Sequence, residues 1–208
     1  MGLLRPARGH NDLTANNETP PPWISGEFDV TGLLRGAPNI LQRAQFLDDV
    51  DRQLQIARKS IDSRFAVLLF RLDSYSQILT EKGRTAADLV VRSTIEPVGT
   101  LLARHDAVAL LENGMIAILL ETARLRAKPQ DFAVEVVGLV KMMAAEAGVA
   151  NPTVSVGIAK VAGSYFAADE VLRDAAIALR AAQDAGLDQV MMFHRGMDEI
   201  LNQTPIAI

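Results

Sequence analysis

The chain has 208 residues, 49% of them hydrophobic and 22% charged, with a net charge of −4, a pI near 5.4 and no cysteine. That length suits one domain plus an arm. The acidic balance argues against nucleic acid as a partner, and the lack of cysteine excludes disulfides, thiolate nucleophiles and Cys-ligated zinc while fitting a reducing cytoplasm.

No apolar run approaches the roughly 18–20 residues that cross a bilayer. MGLLRPARGH has no apolar stretch behind its charges, unlike a signal peptide, and Pro6 stands where a myristoylation signal has Ser or Thr. A cytoplasmic protein is expected. Residues 1–37 contain Asn16-Asn17, the run Pro20-Pro21-Pro22 and several glycines, and they read as an irregular N-terminal arm ahead of a domain over 38–208. Trp23, Ile24 and Phe28, with Val30, Leu33 and Leu34, are too apolar for a pure linker. Either they pack back on the body or they form a partner-docking peptide.

From Pro38, apolar residues at Ile40, Leu41, Phe46, Leu47, Val50, Leu54 and Ile56 recur at helical spacing and predict a helix to about Ile61. FAVLLFRLD (65–73) is a continuous apolar run of strand length, expected at the centre of a sheet. A short helix over 74–81 stops at Gly83, and a second covers 85–104, where Pro97 should kink or interrupt it. DAVALLENGMIAILLE (106–121) reads as a hairpin with arms at 106–111 and 115–121. Asn-Gly at its bend is the strongest short signal for a two-residue type I′ turn. A helix follows over about Pro129–Glu146, then the strand TVSVGIAKV (153–161), an amphipathic helix from Ala168 to Ala185 stopped by Gly186, a short strand QVMMF (189–193) and a last turn at 195–202. Helices alternating with strands around one hairpin predict an α/β fold of the α+β type, a mixed sheet of about five strands with flanking helices.

Three stretches carry a family resemblance. FAVLLFRLDSYSQILTEKGRTAADLVV resembles a segment written D-x-D-x-F-K-x-I-N-D-x-x-G-H-x-x-G-D; DAVALLENGMIAILLE resembles a hairpin with a five-letter signature at its bend; TVSVGIA with the helix after it resembles S-x-G-I-A and a helix ending A-K-x-x-G-R-N. Together they are similar to the GGDEF domain of diguanylate cyclases over roughly residues 38–194. The resemblance implies a palm-like sheet and, in the family, metal-dependent joining of two GTP molecules into cyclic di-GMP. The entry motif D-x-L-T-G-L-x-N-R is matched only loosely, by Asp29-Val30-Thr31-Gly32-Leu33.

The same resemblance places the family's chemistry on unsuitable residues. Magnesium wants carboxylate oxygens. The first metal Asp falls on Arg71, where a cation about 4 Å away repels at roughly 4 kcal/mol per unit charge for an effective dielectric of 20. The signature falls on Glu112, Asn113, Gly114, Met115 and Ile116, so the second metal carboxylate is Gly114 and the acidic fourth letter is Met115. The phosphate-binding Lys and Arg become Gln183 and Leu187, and the guanine-reading Asn becomes Leu79; its acidic companion survives as Asp88. In the product-binding R-x-x-D, Arg becomes Ala103 and the Asp is Asp106, with Arg104 one position off, a turn of about 100° on a helix.

These replacements imply no catalysis, no metal and no cofactor. The leading expectation is a catalytically silent domain that binds another protein or a second copy, through Trp23, Ile24 and Phe28 or through the first helix. A non-catalytic receptor for cyclic di-GMP or GTP, using Arg71, Asp88, Arg104 and Asp106, is the alternative; an active cyclase comes third. Plainer roles stand beside these. Arg71 can pair with Asp73, Asp88 and Asp106 can be surface or capping residues, and Ser155 fits a structural role. His10, His105 and His194 show no zinc spacing, and no G-x-S-x-G elbow occurs. Met142-Met143 and Met191-Met192 suit core filling where aromatics are few, or an adaptable binding face.

Overall fold

A computed structural model describes residues 40–59, 64–103, 105–121, 128–161 and 165–197. The arm 1–37, with Trp23, Ile24 and Phe28, lies outside the described residues, as do Pro38, Arg104 and the part of the last turn beyond 197. In chain order the elements are β1 (Ile40–Leu41), α1 (Arg43–Lys59), β2 (Phe65–Leu72), α2 (Tyr75–Leu101), β3 (Ala107–Leu110), β4 (Met115–Leu120), α3 (Pro129–Glu146), β5 (Val154–Val161), α4 (Ala168–Asp184) and β6 (Val190–Met192).

They build one mixed sheet in the order β1-β3-β4-β2-β5-β6. The five expected strands are present, and the apolar run FAVLLFRL is central, antiparallel to β4 on one side and β5 on the other. Ile40–Leu41 adds a sixth strand, parallel to β3 through Val108 and Ala109, in place of the expected first turns of the helix. The helix instead begins where Gln45 Oε1 accepts the backbone N–H of Gln42 at 3.1 Å, half of a capping box.

The strand period of two divides the core. Ala66, Leu68, Phe70 and Leu72 face α2 and α3, whereas Phe65, Val67 and Leu69 face α1 and α4. Gly157 on β5 lets α4 press close: a Cβ there would stand 2.1 Å from the Ala175 carbonyl oxygen and 2.2 Å from the Leu179 nitrogen. Part of the charged face of α1 fastens it to the start of α4. Asp51 accepts the Ala168 N–H at 2.8 Å, and Arg58 donates to the carbonyls of Tyr165 and Phe166.

Gly83 breaks α2 as expected, with φ 82° and ψ 170°. Pro97 does not interrupt it; helical turns continue to Leu101. One turn earlier, the Ser93 and Thr94 hydroxyls bond back to the Val90 and Val91 carbonyls, each at 2.7 Å, which satisfies both hydroxyls within the helix. Met142 departs from core filling, being 52% exposed, whereas Met191 packs beside Met197 and Ile177.

Candidate functional site

The site to test is the bend between β3 and β4, where the central strand ends. Asn113 has φ 57° and ψ 31°, Gly114 has φ 70°, and the Met115 N–H returns to the Glu112 carbonyl. The two central residues thus take the positive φ of a type I′ turn. The expected plain two-residue loop is modified: the Leu111 N–H also reaches the Met115 carbonyl at 2.8 Å, so Leu111 and Glu112 together oppose Met115 in a bulge.

Beneath the bend lies Tyr75, 1% exposed, from the first turn of α2. A Cβ added to Gly114 would stand 2.4 Å from two ring carbons of Tyr75. The ring therefore fills the space a side chain at 114 would need. The Tyr75 hydroxyl donates to Asp88 Oδ1 at 2.9 Å. Burial first, then the Asp88 hydrogen bond, pushes the phenol up from its ordinary value. The sequence signal for Tyr75 is a lone aromatic in the polar run DSYSQ, three residues past β2.

Arg71 is the penultimate residue of β2, opposite Met115 on one side and Ser155 on the other. Its guanidinium donates to Ser76 Oγ at 3.0 Å rather than pairing with Asp73. Asp73 is engaged elsewhere, its Oδ2 accepting the Asp188 N–H at 3.2 Å. A short strained turn explains that choice. Leu187 and Asp188 hold φ of 65° and 53°, and Asp188 is fixed by Lys141 Nζ at 2.6 Å and the Val154 N–H at 3.3 Å. Lys141 holds the Asp188 carboxyl below its usual range. Ser155 is fully buried, and its hydroxyl has no hydrogen-bond partner among the described residues.

The remaining positions separate. Met115 and Ile116 are core residues, 5% and 3% exposed, and Leu79 packs against the core from α2. Gln183 lies in the last turn of α4 with its carbonyl on the Gly186 and Leu187 N–H groups, and Leu187 is 41% exposed. Asp106 is not a surface residue: it is 2% exposed. Its Oδ2 takes the Ala103 N–H at 2.8 Å and its Oδ1 the Glu121 N–H at 3.0 Å, so it caps the end of α2 and ties the outer end of the hairpin. Arg71 and Asp88 flank the bend, whereas Asp106 sits at the opposite end of the same strands, so these three expected nucleotide contacts do not form one site; Arg104, the fourth, lies outside the described residues.

Beside Asp106 opens a polar cleft of about 230 Å³, lined by Leu41 and Leu119 and by Asp49, Arg52, Gln53, His105 and Glu121. Gln53 hydrogen-bonds Glu121, and Arg52 pairs with Asp49 at 2.7 Å. Among the described residues no group of three or more His, Asp or Glu is placed to hold a metal ion. At the bend the groups present are a guanidinium at 71, no side chain at 114, and the Asp73 carboxylate, whose Oδ2 accepts the Asp188 N–H and whose buried Oδ1 has no hydrogen-bond partner among the described residues. A divalent cation would find one carboxylate there and a cation beside it.

The mixed six-stranded sheet, with its hairpin bend beside the central strand and helices on both faces, is an α+β fold. The family model for "Diguanylate cyclase, GGDEF domain" matches residues 37–189, and the chain belongs to the GGDEF-domain family. Among solved structures it resembles the GGDEF domain of PA1120 (TpbB or YfiN) from Pseudomonas aeruginosa, with a TM-score of 0.64 and 21% identity over 80% of this chain and 98% of that one. It also resembles the coiled coil and GGDEF domain of DgcB from Caulobacter crescentus, solved with cyclic di-GMP, with a TM-score of 0.62 and 19% identity over 76% of this chain and 83% of that one. Protein y4lL of Sinorhizobium fredii is 26% identical over 79% of this chain; the chain spans only 20% of that relative's length. No helix among the described residues is long and apolar enough to cross a membrane.

Proposed function

We propose that this GGDEF domain is catalytically silent and works through contacts with another protein. The observation that carries this reading is Gly114, which puts no side chain where the family's second metal ligand would stand, on a bend packed against the Tyr75 ring. Arg71, at the first, points its guanidinium at Ser76. Two hard-cation ligands are thereby replaced by a cation and a glycine, neither of which supplies an oxygen for metal-assisted displacement. The test is incubation of the purified chain with GTP and Mg²⁺ or Mn²⁺, with cyclic di-GMP followed by mass spectrometry. No product is expected, and sustained turnover overturns the proposal. Crosslinking pull-downs with and without residues 1–37 test the arm as the contact element. Loss of the captured partner on deletion is expected, and an unchanged profile removes the arm from the reading.

A second reading is a receptor that binds cyclic di-GMP or GTP without turnover. It is supported by the part-exposed Arg71 standing across the sheet from the unpartnered Ser155 hydroxyl, since a guanidinium holds phosphate oxygens without a metal. Calorimetry with each ligand separates the two: heat lost in Arg71→Ala favours the receptor, and no heat at millimolar ligand removes it.

A further inference from the structure

Helix α3 is apolar on two sides. Phe132, Ala133, Val136, Val140 and Ala144 face the core. On the outward side stand Val134 and Met142, 61% and 52% exposed, spaced four residues either side of Gly138. Gly138 is exposed too, and a Cβ built on it would meet nothing within 4 Å. Positions 134, 138 and 142 share one stripe of the helix, with a notch at its centre. A helix lying against a sheet ordinarily turns a polar side to solvent, and two large apolar side chains aligned either side of a notch give this one a face that a partner can grip.

The charge around the stripe says what fits. Asp131, Glu135 and Glu146 are exposed on α3, and none of their carboxylates has a hydrogen bond or ion pair among the described residues. The one cation within the helix, Lys141, is neutralised by Asp188 at 2.6 Å. A second copy of this chain fits badly, because a two-fold contact would bring the same three carboxylates together. We infer that the outward face of α3 is a docking surface for an amphipathic helix of another protein, one whose apolar stripe is flanked by Lys or Arg. Val134 and Met142 would grip its apolar residues, the notch at Gly138 would admit one of them close to the backbone, and the acidic rim would set its orientation. This inference rests on the reading of the chain as a protein-contact module, and it adds a surface and a class of partner.

The test uses the full chain, isotopically labelled, and a synthetic helical peptide about as long as the 18-residue α3, with leucines at i, i+4 and i+8 flanked by lysines. Its counterpart carries Glu in place of Lys. The lysine peptide is expected to shift the amide signals of residues 130–146 and to bind at least about tenfold more tightly than the glutamate peptide. The same loss of about tenfold is expected for Val134→Ser/Met142→Ser, which keeps the fold because both side chains already face solvent. Equal affinity of the two peptides, shifts mapping to another face, or an unchanged double variant overturns the inference. So does binding that appears only after residues 1–37 are deleted, which would make the arm the occupant. Dimerisation of the chain through residues 130–146 would overturn it equally. Turnover of GTP with peptide binding intact would defeat the silent-enzyme reading and leave this one standing.

Discussion

The two ends of the hairpin are built by opposite means. At the bend, Gly114 lies against a buried ring whose hydroxyl is tied to Asp88, so apolar packing closes the space beside the central strand. At the outer end, Asp106 holds the backbone of Ala103 and Glu121 by charge-assisted hydrogen bonds and borders an open polar cleft. The first end is held by volume and the second by satisfied donors. They should therefore fail differently: the bend when atoms are added, the outer end when an acceptor is removed.

The largest expected effect follows from adding atoms. Gly114→Asp forces a side chain into the Tyr75 ring at a φ of 70°, and overpacking together with left-handed backbone strain should cost about 3–5 kcal/mol, read as a lowered urea midpoint. Tyr75→Ala in that background should recover part of the loss. Full stability of Gly114→Asp alone would mean the ring is not locked to the bend. Next in size is Asp106→Ala. It leaves the part-buried N–H groups of Ala103 and Glu121 without their acceptor, at about 1–3 kcal/mol for the pair. Asp106→Asn, which keeps one acceptor oxygen, should cost visibly less; equal losses would show that charge rather than the hydrogen bonds holds this end.

The difference between the ends also explains what was legible in the sequence. Strand content, the central place of FAVLLFRL and the span of α3 follow from periodicity and length, which are local properties. Positive φ at Asn113-Gly114 was legible because few other residues take it at low cost. Partner choice was not. Arg71 reaches Ser76, whereas Asp73, two residues along in sequence, accepts the N–H of Asp188 from beyond β5. Burial of Asp106 depends on Glu121, fifteen residues away at the far end of the hairpin. Ile40–Leu41 fits a helical spacing as well as a strand, and only the free edge of β3 decides between them.

A smaller effect probes the plug itself. Tyr75→Phe keeps the ring over Gly114 and removes the bond to Asp88, so a loss of about 1 kcal/mol is expected with the bend's amide signals unchanged. Movement of those signals would mean that the hydroxyl, not the ring volume, closes this end.

The smallest effect, and the most diagnostic, is at Glu121 in the cleft. Its carboxyl is pushed up from the ordinary range by burial, and further by Asp106 and Asp49, against an opposing pull from His105. A folded value above the unfolded one means the native state binds the extra proton, so this group's contribution to stability falls as pH rises from the unfolded value through the folded one. Glu121→Gln removes that term; the variant should be more stable than the parent at pH 7, with the gap closing towards pH 4. Asp188, held low chiefly by Lys141, has the opposite sign: its stabilisation is present at neutral pH and is lost as pH falls through its folded value. Lys141→Met should accordingly flatten only the acid limb of a Tm-against-pH curve, and Glu121→Gln only the limb above it. If both variants altered the same limb, the cleft and the 186–188 turn would be titrating as one unit, and the independence of the two ends would be lost.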